Sequence, residues 1–149
     1  MDVSAFLRHL TSLPWYNDQI VHVGDIPARP ATTGTLETPL RPELQSSLES
    51  LGIESLYSHQ AEAIHLLRQG SNVIVSTSAA SGKSLCYHIP VLEALLEDRT
   101  DRALYLFPTK ALAQDQLRTL DSLVPQNAQV RTAIYDGDTP PGDRSGIRR

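Results

Sequence analysis

From residue 42 onward, apolar positions recur at helical spacing and alternate with short unbroken β-branched runs. Leu44, Leu48 and Leu51 share a face behind Pro42, whose missing N–H costs nothing in a first helical turn; Gly52 marks the stop. Ser58 is the expected N-cap of a second helix, with Ala61, Ile64 and Leu67 as its buried stripe and Gly70 as its end. Residues 72–76 then read as a buried strand. A helix is predicted from Lys83 to about Asp98, with Leu85, Ile89, Leu92 and Leu96 on one face and Pro90 expected to kink or divide it. Residues 103–107 form a second predicted strand. Thr109 to about Leu123 forms another amphipathic helix, with Leu112, Leu117 and Leu120 inward. Residues 130–135 form a third predicted strand, 137–142 a loop, and the last residues the beginning of a helix. Ahead of this pattern, residues 4–13 are expected to be a short helix ended by Pro14, 19–23 a short edge strand, and 26–42 an extended connector broken up by proline.

Strands alternating with helices predict an α/β domain with a parallel sheet covered in three layers. In such sheets ligands collect at the carboxyl ends of the strands. The composition agrees with a globular domain: 149 residues, 40% hydrophobic and 20% charged. No apolar run is long enough to span a membrane, and Met1–Leu13 lacks the order of a signal peptide. The lone Cys86 excludes an internal disulfide and fits a reducing, cytoplasmic setting. The net charge of −4 does not point to nucleic acid, but a few donors in one cleft can act regardless of the total. Cys86, Tyr87 and Trp15 are assigned to packing.

The sharpest chemistry lies between the first predicted strand and the helix after it. Thr77, Ser78, Ala79, Ala80, Ser81, Gly82, Lys83 and Ser84 end in the Gly-Lys-Ser of a phosphate-binding loop, in the required strand–loop–helix context. Backbone N–H groups of such a loop point at phosphate oxygens. Lys83 supplies a mobile charge for the outer phosphates, and the Ser84 hydroxyl a ligand for Mg2+. The loop departs from the usual pattern at Thr77, where glycine is customary, and at Ser78 and Ala79.

Other segments align once the loop is placed. Leu56-Tyr57-Ser58-His59-Gln60-Ala61-Glu62-Ala63-Ile64 resembles the Q motif of the DEAD/DEAH-box helicases, and Phe107-Pro108-Thr109-Lys110-Ala111-Leu112-Ala113-Gln114-Asp115-Gln116 resembles their motif Ia. Tyr135-Asp136-Gly137-Asp138-Thr139-Pro140 resembles the next element that touches the nucleic-acid strand. Within that superfamily the likeness is to bacterial mitomycin-repair helicases and their fungal relatives, over residues 15–149. The resemblance implies the first RecA-like motor domain of an ATP-dependent DNA-repair helicase moving 3′ to 5′. It implies ATP and Mg2+ as cofactors, Lys83 as the catalytic lysine, Gln60 as the adenine reader with Tyr57 packed beside it, and Ser84 on the metal. Pro108, Thr109, Lys110, Gly137 and Asp138 would meet single-stranded DNA. The aromatic that the family places further upstream has no counterpart in residues 40–43.

The family also uses an acidic D-E-x-H or D-E-A-D segment, and no Asp-Glu pair occurs in these residues; Asp98, Asp101, Asp136, Asp138 and Asp143 all stand outside such a pair. The expectation is therefore an incomplete domain at residues 42–149, led in by residues 1–41. The remainder of a parent helicase, including a second RecA-like domain, would complete it, and the isolated chain would turn over little ATP. Two rival readings stay open at this point: a P-loop NTPase of another class, which would explain Lys83 and Ser84 but not Gln60 or Thr109-Lys110, and a non-catalytic nucleotide or nucleic-acid binding module.

Overall fold

The computed structural model describes residues 2–28 and 30–147. It divides into two compact units, one running to Pro30 and one starting at Ala31. In the first unit, α1 (Val3–Thr11) begins where the Asp2 carboxylate accepts the Ala5 N–H at 3.1 Å. Arg8 and His9 in its last turn suit the negative end of the helix dipole. The expected strand at 19–23 does not form: Val21 and Val23 are exposed, and no partner strand is present among the described residues of that unit. Trp15 is not a packing residue here either, being 63% exposed.

The second unit is a layer of helices. α2 (Pro42–Ser50) carries Pro42 in its first turn and buries Leu44 and Leu48. Gly52, at φ +74°, ends it in the left-handed region that glycine enters without strain. Leu51 falls on the cap, beyond the buried face, and is exposed. α3 (Ser58–Arg68) buries Gln60, Ala61, Ala63 and Ile64, while Leu67 is only half-buried. Its N-cap is Tyr57, one residue before the expected Ser58, and the Tyr57 N–H donates to Gln60 Oε1 at 2.8 Å.

α4 (Ser84–Glu97) runs through Pro90 undivided, because Leu85, Cys86, His88, Ile89 and Leu92 are buried on both sides of the proline. α5 (Lys110–Leu123) is capped by Thr109, whose hydroxyl accepts the Leu112 N–H at 3.2 Å. Only its second half is inward: Leu120 and Leu123 are buried, Leu117 half-buried and Leu112 exposed. α6 (Pro141–Ile147) closes the described chain.

α3 packs on α4, and α2 bridges α4 and α5. Their shared core is Leu44, Leu48, Leu56, Ile64, Leu85, Ile89, Leu92, Leu120 and Leu123. Arg68 pins its rim, with two guanidinium nitrogens on the Glu93 carboxylate at 2.6 and 3.0 Å and a third on Thr38 O at 2.6 Å. That fork fixes geometry more than it adds stability, since the pair is partly solvated.

The parallel sheet expected from residues 72–76, 103–107 and 130–135 is not formed among the described residues. These runs keep the side-to-side alternation of strands. Half-buried Val73 and Val75 flank Ile74 at 97% exposure, and half-buried Tyr105 lies between Leu104 at 85% and Leu106 at 84%. Helices cover one face only. The second layer that keeps a parallel sheet dry is missing among the described residues, and no ladder links the runs.

The ladder that does form joins the expected connector to the residues just before α3. β1 (Thr33–Gly34) pairs antiparallel with β2 (Leu56–Tyr57), Thr33 opposite Tyr57 and Gly34 opposite Leu56. The Ser58 N–H extends it to Thr32 O at 2.9 Å. A Cβ on Gly34 would lie 2.9 Å from the Ala61 Cβ and 3.0 Å from the Ser58 Cα, so the lead-in presses directly on the start of α3. Gly34→Ala is expected to cost about 1–3 kcal/mol by overpacking, read as a lower urea midpoint, and Ala61→Gly in the same chain should restore part of it. A Gly34→Ala midpoint equal to wild type would contradict this packing.

Candidate nucleotide and nucleic-acid site

The loop between residue 76 and α4 is folded around the ammonium of Lys83. Its Nζ donates to Thr77 O and Thr77 Oγ1, both at 3.1 Å, to Ser78 O, and to Ser81 Oγ at 3.3 Å. The Thr77 and Ser81 hydroxyls bond each other at 2.5 Å. Thr77, where glycine was customary, thus contributes both a carbonyl and a hydroxyl to the lysine's surroundings. Ala80 sits at φ +56° and Gly82 at φ +73°, so the chain reverses twice within the loop. Ser78 and Ala79 are exposed on it, and Ser84 opens α4 half-buried.

Gln60 joins this loop to the start of α3. It is 2% exposed, and its amide is used at both ends: Oε1 accepts from the Tyr57 N–H, and Nε2 donates to Gly82 O at 2.8 Å. His59 adds a contact from Nε2 to Ser81 O at 3.0 Å, and its ring stacks on Tyr57 with centroids 5.8 Å apart. A Cβ at Gly82 would stand 2.5 Å from Gln60 Nε2 and 3.7 Å from the Tyr57 ring. The segment 57–60 and the loop are therefore one structure. His59 escaped the sequence reading, although its place beside Gln60 was the signal that could have found it.

The other predicted group also converges. Pro108 and Thr109 lead into α5, and the Lys110 ammonium is paired with the Asp138 carboxylate. Asp138 holds the Lys110 pKa above its ordinary value of 10.5. The turn carrying Gly137 and Asp138 is tied internally: the Asp136 carboxylate accepts the Asp138 N–H, and Thr139 Oγ1 accepts the Asp136 N–H, both at 2.9 Å. Arg144 donates to Thr139 O at 2.9 Å and to Gly137 O at 3.4 Å, and it lies 5.7 Å from the Tyr135 ring centroid. Asp136 and Asp138 are thus committed to this turn, and Asp98 holds the Thr100 N–H and hydroxyl. Among the described residues no cluster of acidic or histidine side chains could hold a metal on its own.

Between the two groups runs a layer of rings. Tyr87 and His88 on α4 meet Tyr105, with centroids at 5.7 and 5.5 Å, and Tyr105 stacks on Phe107 at 6.1 Å. The Tyr87 hydroxyl bonds Gln116 Oε1 on α5 at 2.5 Å, and His88 Nδ1 faces the Tyr105 hydroxyl at 3.3 Å. Burial pushes the Tyr105 pKa up to about 12. His88 is 1% exposed, and its Nε2 has no hydrogen-bond partner among the described residues. Cys86 is buried and unpaired, and burial raises its thiol pKa, which fits its expected packing role.

Comparison with known proteins bears on this arrangement. Residues 57–149 match the DEAD/DEAH box helicase family. The chain is 39% identical to the ATP-dependent helicase YprA of Bacillus subtilis over 134 residues, covering 89% of this chain and 18% of that protein. It is 41% identical to the ATP-dependent helicase HRQ1 of Saccharomyces cerevisiae, over 99% of this chain and 14% of that protein. A crystal structure of helicase MrfA bound to DNA superposes with TM-score 0.82 at 35% identity, over 100% of this chain and 21% of that one. One bound to DNA and AMPPNP gives 0.80 at 36%, over 98% and 20%. The chain therefore spans about a seventh to a fifth of the length of these proteins.

The buried imidazole sets a pH dependence. Desolvation lowers the His88 pKa from 6.5, and nearby Gln116 only partly offsets this. The unfolded chain takes up this proton near pH 6.5 while the folded chain still resists it, so acidification favours unfolding. Stability from urea titration is expected to fall as the pH drops below about 6.5, with a shallower fall in His88→Gln. Equal slopes in the two proteins would contradict a neutral His88 in the fold.

Proposed function

This chain belongs to the DEAD/DEAH box helicases, and from that premise we propose that it binds ATP with Mg2+ and grips one strand of DNA within an ATP-dependent DNA helicase. The observation that carries the reading is the junction of Gln60 with Gly82 beside Lys83. It puts an amide and a phosphate-type loop in one place, which a Gly-Lys-Ser turn alone would not do.

The residues present fit a nucleoside triphosphate. Lys83 already lies among oxygens of Thr77, Ser78 and Ser81, the kind of surroundings that phosphate oxygens would replace. In this reading Lys83 takes the outer phosphates and Ser84 a metal position. Backbone groups of Thr77, Ser78, Ala79, Ala80, Ser81 and Gly82 line the phosphates. Mg2+, when bound, supplies charge neutralisation between phosphate oxygens. In this reading Gln60 takes the adenine edge, which requires its buried amide to be uncovered or to exchange its bonds to Tyr57 and Gly82.

Pro108, Thr109, Lys110, Gly137 and Asp138 form the proposed strand contact. Lys110 must share its charge between Asp138 and a DNA phosphate, so Asp138 tempers that grip. The likeness to helicases crystallised with DNA and AMPPNP supports both halves of the reading. We assign residues 42–149 to a RecA-like domain with a three-layer parallel sheet, led in by residues 1–41. The apolar runs at 72–76, 103–107 and 130–135 supply its strands. A second RecA-like domain, 3′-to-5′ movement, a role in DNA repair and a cytoplasmic location complete the proposal. No helix among the described residues is long and apolar enough to cross a membrane. With no Asp-Glu pair in these residues, the chain alone should bind ATP and hydrolyse almost none.

Calorimetric titration of the chain with ATP and Mg2+ tests this. ATP is expected to bind more tightly than GTP, and Lys83→Ala to weaken ATP by about tenfold or more, on the order of 1.4 kcal/mol. Single-stranded DNA affinity should fall steeply with salt. Equal ATP affinities in wild type and Lys83→Ala would overturn the nucleotide assignment.

A further inference from the structure

α4 starts at the phosphate-type loop, with Lys83 as its cap and Ser84 as its first residue. α5 starts at Thr109 and Lys110, the proposed strand contact. Tyr87 lies one turn into α4, and its hydroxyl reaches across to Gln116, near the middle of α5, at 2.5 Å. The same Tyr87 ring packs on His88 and Tyr105 at 4.6 and 5.7 Å, and Tyr105 stacks on Phe107, two residues before Thr109. One side chain therefore touches the body of α5 and the segment that delivers its N-terminus.

Gln116 is held at both ends of its amide. Its Oε1 accepts the Tyr87 hydroxyl at 2.5 Å, and its Nε2 donates to the Asp115 carboxylate at 3.3 Å. The Tyr87 bond is either made or lost, which gives the α4–α5 contact two discrete arrangements rather than a continuous range. A two-state element of this kind is what energetic coupling between two sites requires.

We propose that Tyr87 and Gln116 are positioning residues that couple the two sites, their hydrogen bond setting α5 against α4 so that nucleotide at Lys83 and a strand at Thr109–Lys110 favour each other. This rests on the reading of the two sites given above. Neither residue touches either ligand in it; both act through the helices they join.

The test measures four affinities on this chain. ATP with Mg2+ is titrated with and without saturating oligo(dT), and oligo(dT) with and without saturating ATP and Mg2+. Wild type is expected to show the same coupling factor in both directions, within about 5- to 150-fold. Tyr87→Phe keeps the ring and removes the hydroxyl. It should bring the factor to within about twofold of unity while each ligand alone binds within about twofold of wild type. Gln116→Leu should do the same, and the double variant should lose no more than either single one. A purely structural role would instead lower both separate affinities and the melting temperature, leave the coupling factor in place, and overturn the proposal. Full coupling in Tyr87→Phe, or additive losses in the double variant, would also overturn it. Wild-type binding of both ligands without coupling would sink this inference and leave the function standing. Binding of neither would sink both.

Discussion

Gly82 occupies a space in which no side chain fits. Its φ is +73°, and a Cβ there would stand 2.5 Å from the Gln60 amide nitrogen. The close approach exists because Gln60 is buried, and a buried amide must be hydrogen-bonded. Gln60 satisfies itself by holding the Tyr57 N–H with one end and the Gly82 carbonyl with the other. Much follows from that pair of hydrogen bonds. It caps α3, sets the turn of the loop into α4, and leaves Lys83 free to gather the loop's oxygens. Leaving either end of the amide unpaired would cost about 1–3 kcal/mol, so the loop is held by the same energy that seals the end of α3.

The helical layer supplies the rigidity behind this contact. Ile64, Ile89 and Leu92 lie in the common core, so α3 and α4 cannot slide past each other without opening it. Gly34 brings β1 onto the N-terminal turn of α3, and Arg68 fastens the far end of that helix to Glu93 on α4. The site sits where α3 and α4 begin, with both helices anchored along their lengths. The open face, where Ile74, Leu104 and Leu106 meet solvent, lies on the other side of the apolar runs. Burial there is unfinished, but the loop contacts do not depend on it.

The helices were legible because amphipathic spacing and end signals act locally. Pro42 with Gly52, and Thr109 with the run to Leu123, predicted α2 and α5 to within a residue or so. The loop and Gln60 were legible as motifs, and the structure brings them together. The apolar runs were read as buried strands of a parallel sheet, whereas among the described residues their alternate side chains are exposed and no ladder joins them. Pairing is a long-range property, and a run of Val-Ile-Val says nothing of whether a neighbour is there. β1 was missed for a related reason: Thr33 and Gly34 have no strand pattern, and only their partner Tyr57 makes them one. Pro90 was expected to break α4, but burial on both sides outweighs the bond it removes. Tyr87 was read as packing because its hydroxyl partner lies on another helix, and Lys110 and Asp138 were both read as strand contacts without the ion pair between them, because they lie far apart in sequence.

The central claim is that Gln60 holds the phosphate-type loop in place. Amide hydrogen exchange in Gln60→Ala tests it most directly. The Leu85 and Cys86 N–H groups bond Gly82 O and Lys83 O at the loop's junction with α4, while the Gln45 N–H bonds Arg41 O in distant α2. If Gln60 holds the loop, Leu85 and Cys86 exchange faster in the variant and Gln45 does not. Unchanged exchange at Leu85 and Cys86, or an equal rise at all three, would contradict the claim.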